Sequence, residues 1–229
     1  MKLAIMQPYF FPYIGYFQVI KAVDAFVVYD DVNFIKGGWI NRNFILSQGK
    51  RSRITLQLQG ASPNLLINQI KLGSNRIKLL KTIQQSYSKA TYFSYVYPMI
   101  EEILLYEEDN LSKFIDFGLR RICNYLGLSP KWYISSDLKK DSKLCGQNKV
   151  LSICTELGGS HYINASGGRS LYDKLAFSNQ GVQLSFIASK DIEYPQFGGL
   201  FEPNLSIIDV LMFNDQEQCS RLLKSFDLD

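Results

Sequence analysis

Five clusters in this sequence have residue types and spacings that could do chemistry. Asp30 and Asp31 stand side by side after an apolar run. Adjacent carboxylates can hold Mg²⁺, a ribose hydroxyl or a substrate amine; they can also cap a turn and carry surface charge. Gln7, Pro8 and Tyr9 open a second cluster that runs through Pro12, Tyr13, Ile14, Gly15 and Tyr16. If a helix starts there, its unused N–H groups form an anion site, and Gly15 lets a phosphate or base approach the backbone. The same segment could instead be a rigid aromatic turn that plugs the sheet. The third cluster runs from Lys36 through Gly37, Gly38, Trp39, Asn41 and Arg42 to Asn43. Two cations beside pliable backbone and one large ring suit a phosphorylated, sugar-like ligand, with Trp39 stacking on its apolar face. A solvated loop anchored by Trp39 is the alternative. In the fourth, Ser160, His161 and Asn164 lead to Gly167 and Gly168, the shape of a phosphate cradle without the Lys-Ser/Thr of a P-loop. His161 is the only imidazole, a general base or a satisfied strand residue. The fifth holds Tyr194, Pro195 and Gln196, then Asn204, Ser206 and Asp209. The Tyr194–Pro195 bond could be cis, Asn204 or Ser206 could cap a helix, and Asp209 is spaced as a buried partner.

Such residues need elements to position them. Short apolar runs at 2–6, 25–29, 132–135, 161–163 and 183–187 read as strands, and residues 52–59 alternate like a half-exposed strand. Helical patterns cover 12–22, 75–89, 95–106, 111–126, 148–157, 170–177, 205–213 and 215–224, with Gly127 and Gly158 as stops. Residues 33–49 read as loop. Strand, helix, strand in the first thirty residues is a βαβ unit. The expected fold is therefore α/β: an open, parallel, doubly wound, Rossmann-like sheet of about five strands in one domain, 1–229, with a mainly helical insertion over 44–127. In such sheets ligands bind beyond the carboxyl ends of the strands, where most of the five clusters fall.

Composition narrows the function classes. A chain of 229 residues buries enough surface to fold without disulfide or metal staples. The four cysteines lack C-x-x-C spacing and read as core residues of a reducing compartment. Cys145 has no base placed beside it, so it is not expected to be a nucleophile. A net charge of +4 suits anionic small molecules and falls short of a nucleic-acid footprint. One His excludes a His-based metal cluster, and no resident metal site is expected. Gln7, Pro8 and Pro12 interrupt any signal-peptide helix, and no apolar run is long enough to span a bilayer. A cytoplasmic protein with no membrane span is expected, and a homodimer is open.

Three of these stretches resemble the WbqC-like proteins: Gln7 to Gln18, Val28 to Asn43, and Leu205 to Asn214. The resemblance runs nearly end to end. Proteins of that family are encoded in bacterial clusters for O-antigen and other surface polysaccharides, so the resemblance implies work on a sugar, most naturally a nucleotide-linked one. A narrower likeness covers the first thirty residues. Pro12 to Tyr16 is similar in layout to the His-x-Gly-His turn of the nucleotidylyl-transferase superfamily, with tyrosines for both histidines. It implies a nucleotide pocket without imidazolium charge.

The leading expectation is an enzyme that acylates the amine of a nucleotide-linked amino sugar, with an acyl-CoA as one candidate donor. Tyr13, Gly15, Lys36 and Arg42 would hold phosphates, Asp30 or Asp31 would orient the amine, and His161 would take its proton. Nucleotidyl transfer or adenylate-forming ligation with ATP and Mg²⁺ is the second expectation. A non-catalytic nucleotide-sugar-binding accessory protein is the third.

Overall fold

Alternation within the strands builds the sheet. In β1 (Lys2–Met6) Leu3 and Ile5 point to one face and Ala4 to the other. After α1 (Ile14–Lys21), β2 (Ala25–Val28) repeats this, with Ala25 and Val27 on the first face and Phe26 and Val28 on the second. Each face therefore needs an apolar cover. The computed structural model, which describes residues 1–141 and 143–229, supplies both.

Between β2 and the next strand of this sheet lie a hairpin, β3 (Arg42–Ser47) with β4 (Lys50–Thr55), a short antiparallel pair, β5 (Leu58–Gln59) with β6 (Lys71–Leu72), and three helices. The helices are α2 (Arg76–Tyr87), α3 (Phe93–Leu105) and α4 (Leu111–Tyr125). Their buried side chains join the apolar cluster that also contains Phe17, Phe26 and Val28. The chain re-enters the sheet as β7 (Lys131–Ile134), then continues through α5 (Gly146–Glu156), β8 (His161–Ala165), α6 (Lys174–Asn179) and β9 (Gln183–Ser189). Val150, Ile153 and Cys154 of α5 and Phe177 of α6 cover the Leu3 face. Two closing helices, α7 (Ile207–Phe213) and α8 (Gln216–Leu222), precede β10 (Phe226–Leu228).

The strand order is β10-β9-β8-β1-β2-β7, parallel throughout except for β10. Chain order reverses between β1 and β8, which makes that junction the topological switch point. Gln18 is fully buried, and its amide bonds the carbonyls of Leu222 and Ser225 and the hydroxyl of Ser189, tying α1 to the C-terminal helix and to β9.

Four elements differ from the sequence reading. The stretch 33–49 contains β3, because Asn43 turns inward to the carbonyls of Phe10 and Phe11 while its neighbours alternate outward. Turn-like Asn-Arg-Asn chemistry concealed that strand. Helix α1 begins two residues after Pro12, since Tyr13 stays extended and bridges to Ser206. The helix expected over 170–177 is a 3-10 turn, Ser166–Leu171, followed by α6, which Asp173 caps. The sheet has a sixth strand, β10, too short and polar to announce itself. The Tyr194–Pro195 bond is trans, and Cys145 is exposed while the other three cysteines are buried.

Candidate functional site

The turn after β1 is held from every side. Phe11 has φ 43°, a left-handed conformation rare for a bulky residue. Its carbonyl accepts from Asn43 Nδ2 at 2.7 Å and from Ser206 Oγ at 2.8 Å. The N–H of Phe10 donates to the carbonyl of Ile40, and that of Ile207 to the carbonyl of Pro12. Such strain persists only where surroundings over-determine it, commonly at binding sites. Asn204, at φ 55°, is the second non-glycine residue so held on this side of the molecule.

Between these two strained residues lies a cleft of about 310 Å³, lined by Tyr9, Pro12, Tyr13, Trp39, Asn43, Arg51 and Asn204. Tyr13 and Asn204 also line an adjoining recess of about 380 Å³, bounded by Ser189 to Tyr194 and by Phe201 and Pro203. Both lie on the carboxyl side of the sheet, past β1 and β9. Burial, and then the neighbouring Tyr13, raises the pKa of Tyr9; burial raises that of Tyr13. Both phenols are therefore neutral hydrogen-bond donors at physiological pH. Arg51 lies over the Phe44 ring at 4.2 Å and 3.7 Å from Glu202. In the recess Lys190 pairs with Asp227 at 2.8 Å, while Asp191 and Glu193 are in no ion pair among the described residues. The cleft thus has aromatic walls, amides and an arginine, and the recess beside it, sharing Tyr13 and Asn204, carries two carboxylates.

Asp30 and Asp31 have a different setting. They follow β2 and face the turn after β7. Asp30 is buried and accepts from Ser136 N at 2.9 Å, Ser136 Oγ at 2.7 Å and Asn68 Nδ2 at 3.1 Å. Asp31 accepts from Ser135 Oγ at 2.7 Å and pairs with Lys140 at 2.9 Å and Lys149 at 3.0 Å. Burial pushes the Asp31 carboxyl up, but the Ser135 hydroxyl and the two ammonium groups outweigh it and leave its pKa lowered. Both carboxylates are fully engaged in joining β2, β7 and α5.

The model of the WbqC-like protein family matches residues 7–221, from the first turn to α8. The chain belongs to the WbqC-like family. It is also 31% identical over 219 residues to the "Uncharacterized protein Rv1507c" of Mycobacterium tuberculosis, a match covering 93% of each chain. No solved structure matches it significantly.

In this WbqC-like chain the structure brings Tyr9, Tyr13 and Trp39 together and places the other expected residues elsewhere. Pro8 is buried, and Gln7, half-buried, accepts the hydroxyl proton of Tyr16 on its carbonyl, which seals Tyr16 in the core. The space over Gly15 is filled: a Cβ there would lie 2.3 Å from the Tyr13 ring. The Tyr13 ring therefore packs directly against the glycine of the first helical turn. Lys36, Asn41 and Arg42 line a separate groove beside Arg53, and the Asn41 amide donates to the carbonyl of Leu56. His161 begins β8, opposite Lys2 at the amino edge of the sheet, and lies 2.9 Å from Ser185 Oγ. Burial, then Lys2 and the N-terminal ammonium, lowers its pKa. It is four residues up the strand from the carboxyl edge, so it does not meet the aspartates or the cleft. Asn164 is buried, accepts from Ala165 N and leaves no room for a Cβ on Gly168, while Gly167 is open. Tyr194 also lines the recess, yet its hydroxyl, like the Gln196 amide, is committed to Asp209. Asn43, Arg51, Asn204, Asp191 and Glu193 were missed as cleft residues. Asn43 and Asn204 carried a signal, through their places in the Lys36 and Tyr194 clusters. No helix among the described residues is long and apolar enough to cross a membrane.

Proposed function

We propose that the protein binds a nucleotide-linked amino sugar in the Tyr9–Trp39–Asn204 cleft and acylates its amine, serving bacterial surface-polysaccharide assembly. The polysaccharide setting rests on the family. One observation carries the ligand: an aromatic-walled cleft bearing Arg51 adjoins, through Tyr13 and Asn204, a recess bearing Asp191 and Glu193. An apolar sugar face suits Trp39, hydroxyls suit the amides of Asn43 and Asn204, and an ammonium suits the carboxylates of the recess. An amine there could pass its proton to Asp191 or Glu193 as it attacks the thioester carbonyl of an acyl-CoA; the C–S bond breaks and the departing thiolate takes that proton.

A second reading, a carrier without catalysis, is favoured by the full engagement of Asp30 and Asp31, the carboxylates the sequence offered as catalysts. Thermal unfolding with UDP-linked amino and neutral sugars tests the ligand. At 100 times Kd a ligand adds about 2.7 kcal/mol of stability. The amino sugar is expected to give the larger shift, and Trp39→Ala to weaken it by about tenfold, or about 1.4 kcal/mol. Equal shifts from both sugars, or an unaffected Trp39→Ala, would sink the reading. Mass analysis with an acyl-CoA then separates enzyme from carrier. Pyrophosphate release from ATP and Mg²⁺ would replace both with the ligase expectation.

A further inference from the structure

A second hollow opens on the β3–β4 hairpin, about 350 Å³ in volume, and its charged lining is entirely cationic: Lys36, Arg42 and Arg53. None of the three is in an ion pair among the described residues. Arg42 pairs across the hairpin with Thr55, and Phe44 with Arg53. The two arginines are thus diagonal neighbours on one face, roughly 7–8 Å apart at their bases. Like charges so placed repel, and no ion pair among the described residues offsets the cost. Gly37, at φ +81°, passes close to the Arg42 guanidinium: a Cβ there would stand 3.6 Å from Nη2. The loop from 36 to 39 therefore lays Lys36 and its own backbone alongside the arginines and ends on Trp39, at the mouth of the sugar cleft. Further along the same face comes Arg51, opposite Leu46.

We propose that this groove is the diphosphate subsite of the nucleotide-linked ligand, which lies along the hairpin with its sugar beyond Trp39. The proposal rests on the sugar-cleft reading and moves the phosphates from the start of α1, where the Tyr13 ring packs against Gly15, to the hairpin. Two guanidinium groups lining one groove match the paired oxygens of a diphosphate, and a bound anion relieves their repulsion.

Calorimetry on the full chain with inorganic pyrophosphate, UDP and a UDP-linked amino sugar tests it. Arg42→Gln/Arg53→Gln is expected to weaken all three by about tenfold or more. Lys36→Gln, in an exposed loop, is expected to weaken them less and guards against misfolding of the double variant. Trp39→Ala is expected to spare pyrophosphate and weaken only the UDP-sugar. Pyrophosphate affinity unchanged in both groove variants overturns the subsite. So does a UDP-sugar that keeps full affinity in the double variant while pyrophosphate loses it, since the groove would then be a separate anion site. Groove variants that weaken every probe, with Trp39→Ala weakening none, leave the subsite standing and remove the sugar cleft instead.

Discussion

A partly buried carboxylate and a fully buried one are satisfied in opposite ways. Asp31 is neutralised by cations, with Lys140 and Lys149 both within 3.0 Å. Asp209 is buried, is in no ion pair among the described residues, and is held by three neutral donors: Tyr87 Oη at 2.7 Å, Tyr194 Oη at 2.8 Å and Gln196 Nε2 at 2.7 Å. Burial raises the Asp209 pKa, and those three donors lower it by less. Asp31 comes out lowered and Asp209 raised. The two also hold different things. Asp31 fastens β2 to β7 and α5, the static carboxyl edge of the sheet. Asp209 fastens the segment from Tyr194 to Glu202, one wall of the recess beside the cleft, whose Leu200 is 99% exposed. Cations clamp the scaffold, while neutral donors secure a wall that bears on the site.

The largest effect that separates them is the loss of Asp31. Asp31→Ala strands two ammonium groups whose side chains are only 5% and 7% exposed. Breaking a buried pair of this kind costs about 3–5 kcal/mol, and urea unfolding should report a loss of that size. A loss under about 1 kcal/mol would mean that the lysines simply turn out to solvent. Asp209→Asn comes next. It removes the charge and turns an amide donor toward groups that themselves donate, an expected loss of about 1–3 kcal/mol. It should also weaken cleft ligands, because Tyr194 and Gln196 lose their anchor; an unchanged Kd would make the cluster purely structural.

The subtlest difference lies in pH dependence, where the signs oppose. The folded pKa of Asp31 lies below its ordinary value, so its contribution is complete above that value and is lost as pH falls through the folded pKa. The folded pKa of Asp209 lies above its ordinary value. The folded state then keeps that proton longer, and the stabilisation is lost as pH rises through the folded pKa. Urea titrations from about pH 3 to 7 should show wild type losing ground to Asp209→Asn as pH rises. The same titrations should show Asp31→Ala with a shallower acid-side decline than wild type. Parallel curves for all three proteins would erase the distinction.

Much of the scaffold was legible in the chain itself. Apolar runs at β1, β2, β8 and β9 announce themselves because a parallel strand buried on both faces must be largely apolar, while the half-buried edge strand β7 shows through Trp132 to Ile134. The aromatic turn after β1 and the Lys36–Asn43 stretch were legible as clusters because Gly, Pro and amides beside rings are costly to place without a purpose. What they would do was not legible. Gly15 reads as room for a phosphate, yet the Tyr13 ring takes that room. Asp30 and Asp31 read as a reactive pair, yet serines and lysines more than a hundred residues later in the chain engage them. His161 reads as a base, but strand register puts it at the edge away from the cleft. Residue type and local period are properties of the chain, and they determined the elements and the places where polar groups concentrate. Which groups meet depends on long-range register and on turns from distant segments. Only the tertiary structure decided that Arg51 and Asp191 line adjoining hollows that share Tyr13 and Asn204, because no local spacing encodes a contact between elements so far apart in sequence.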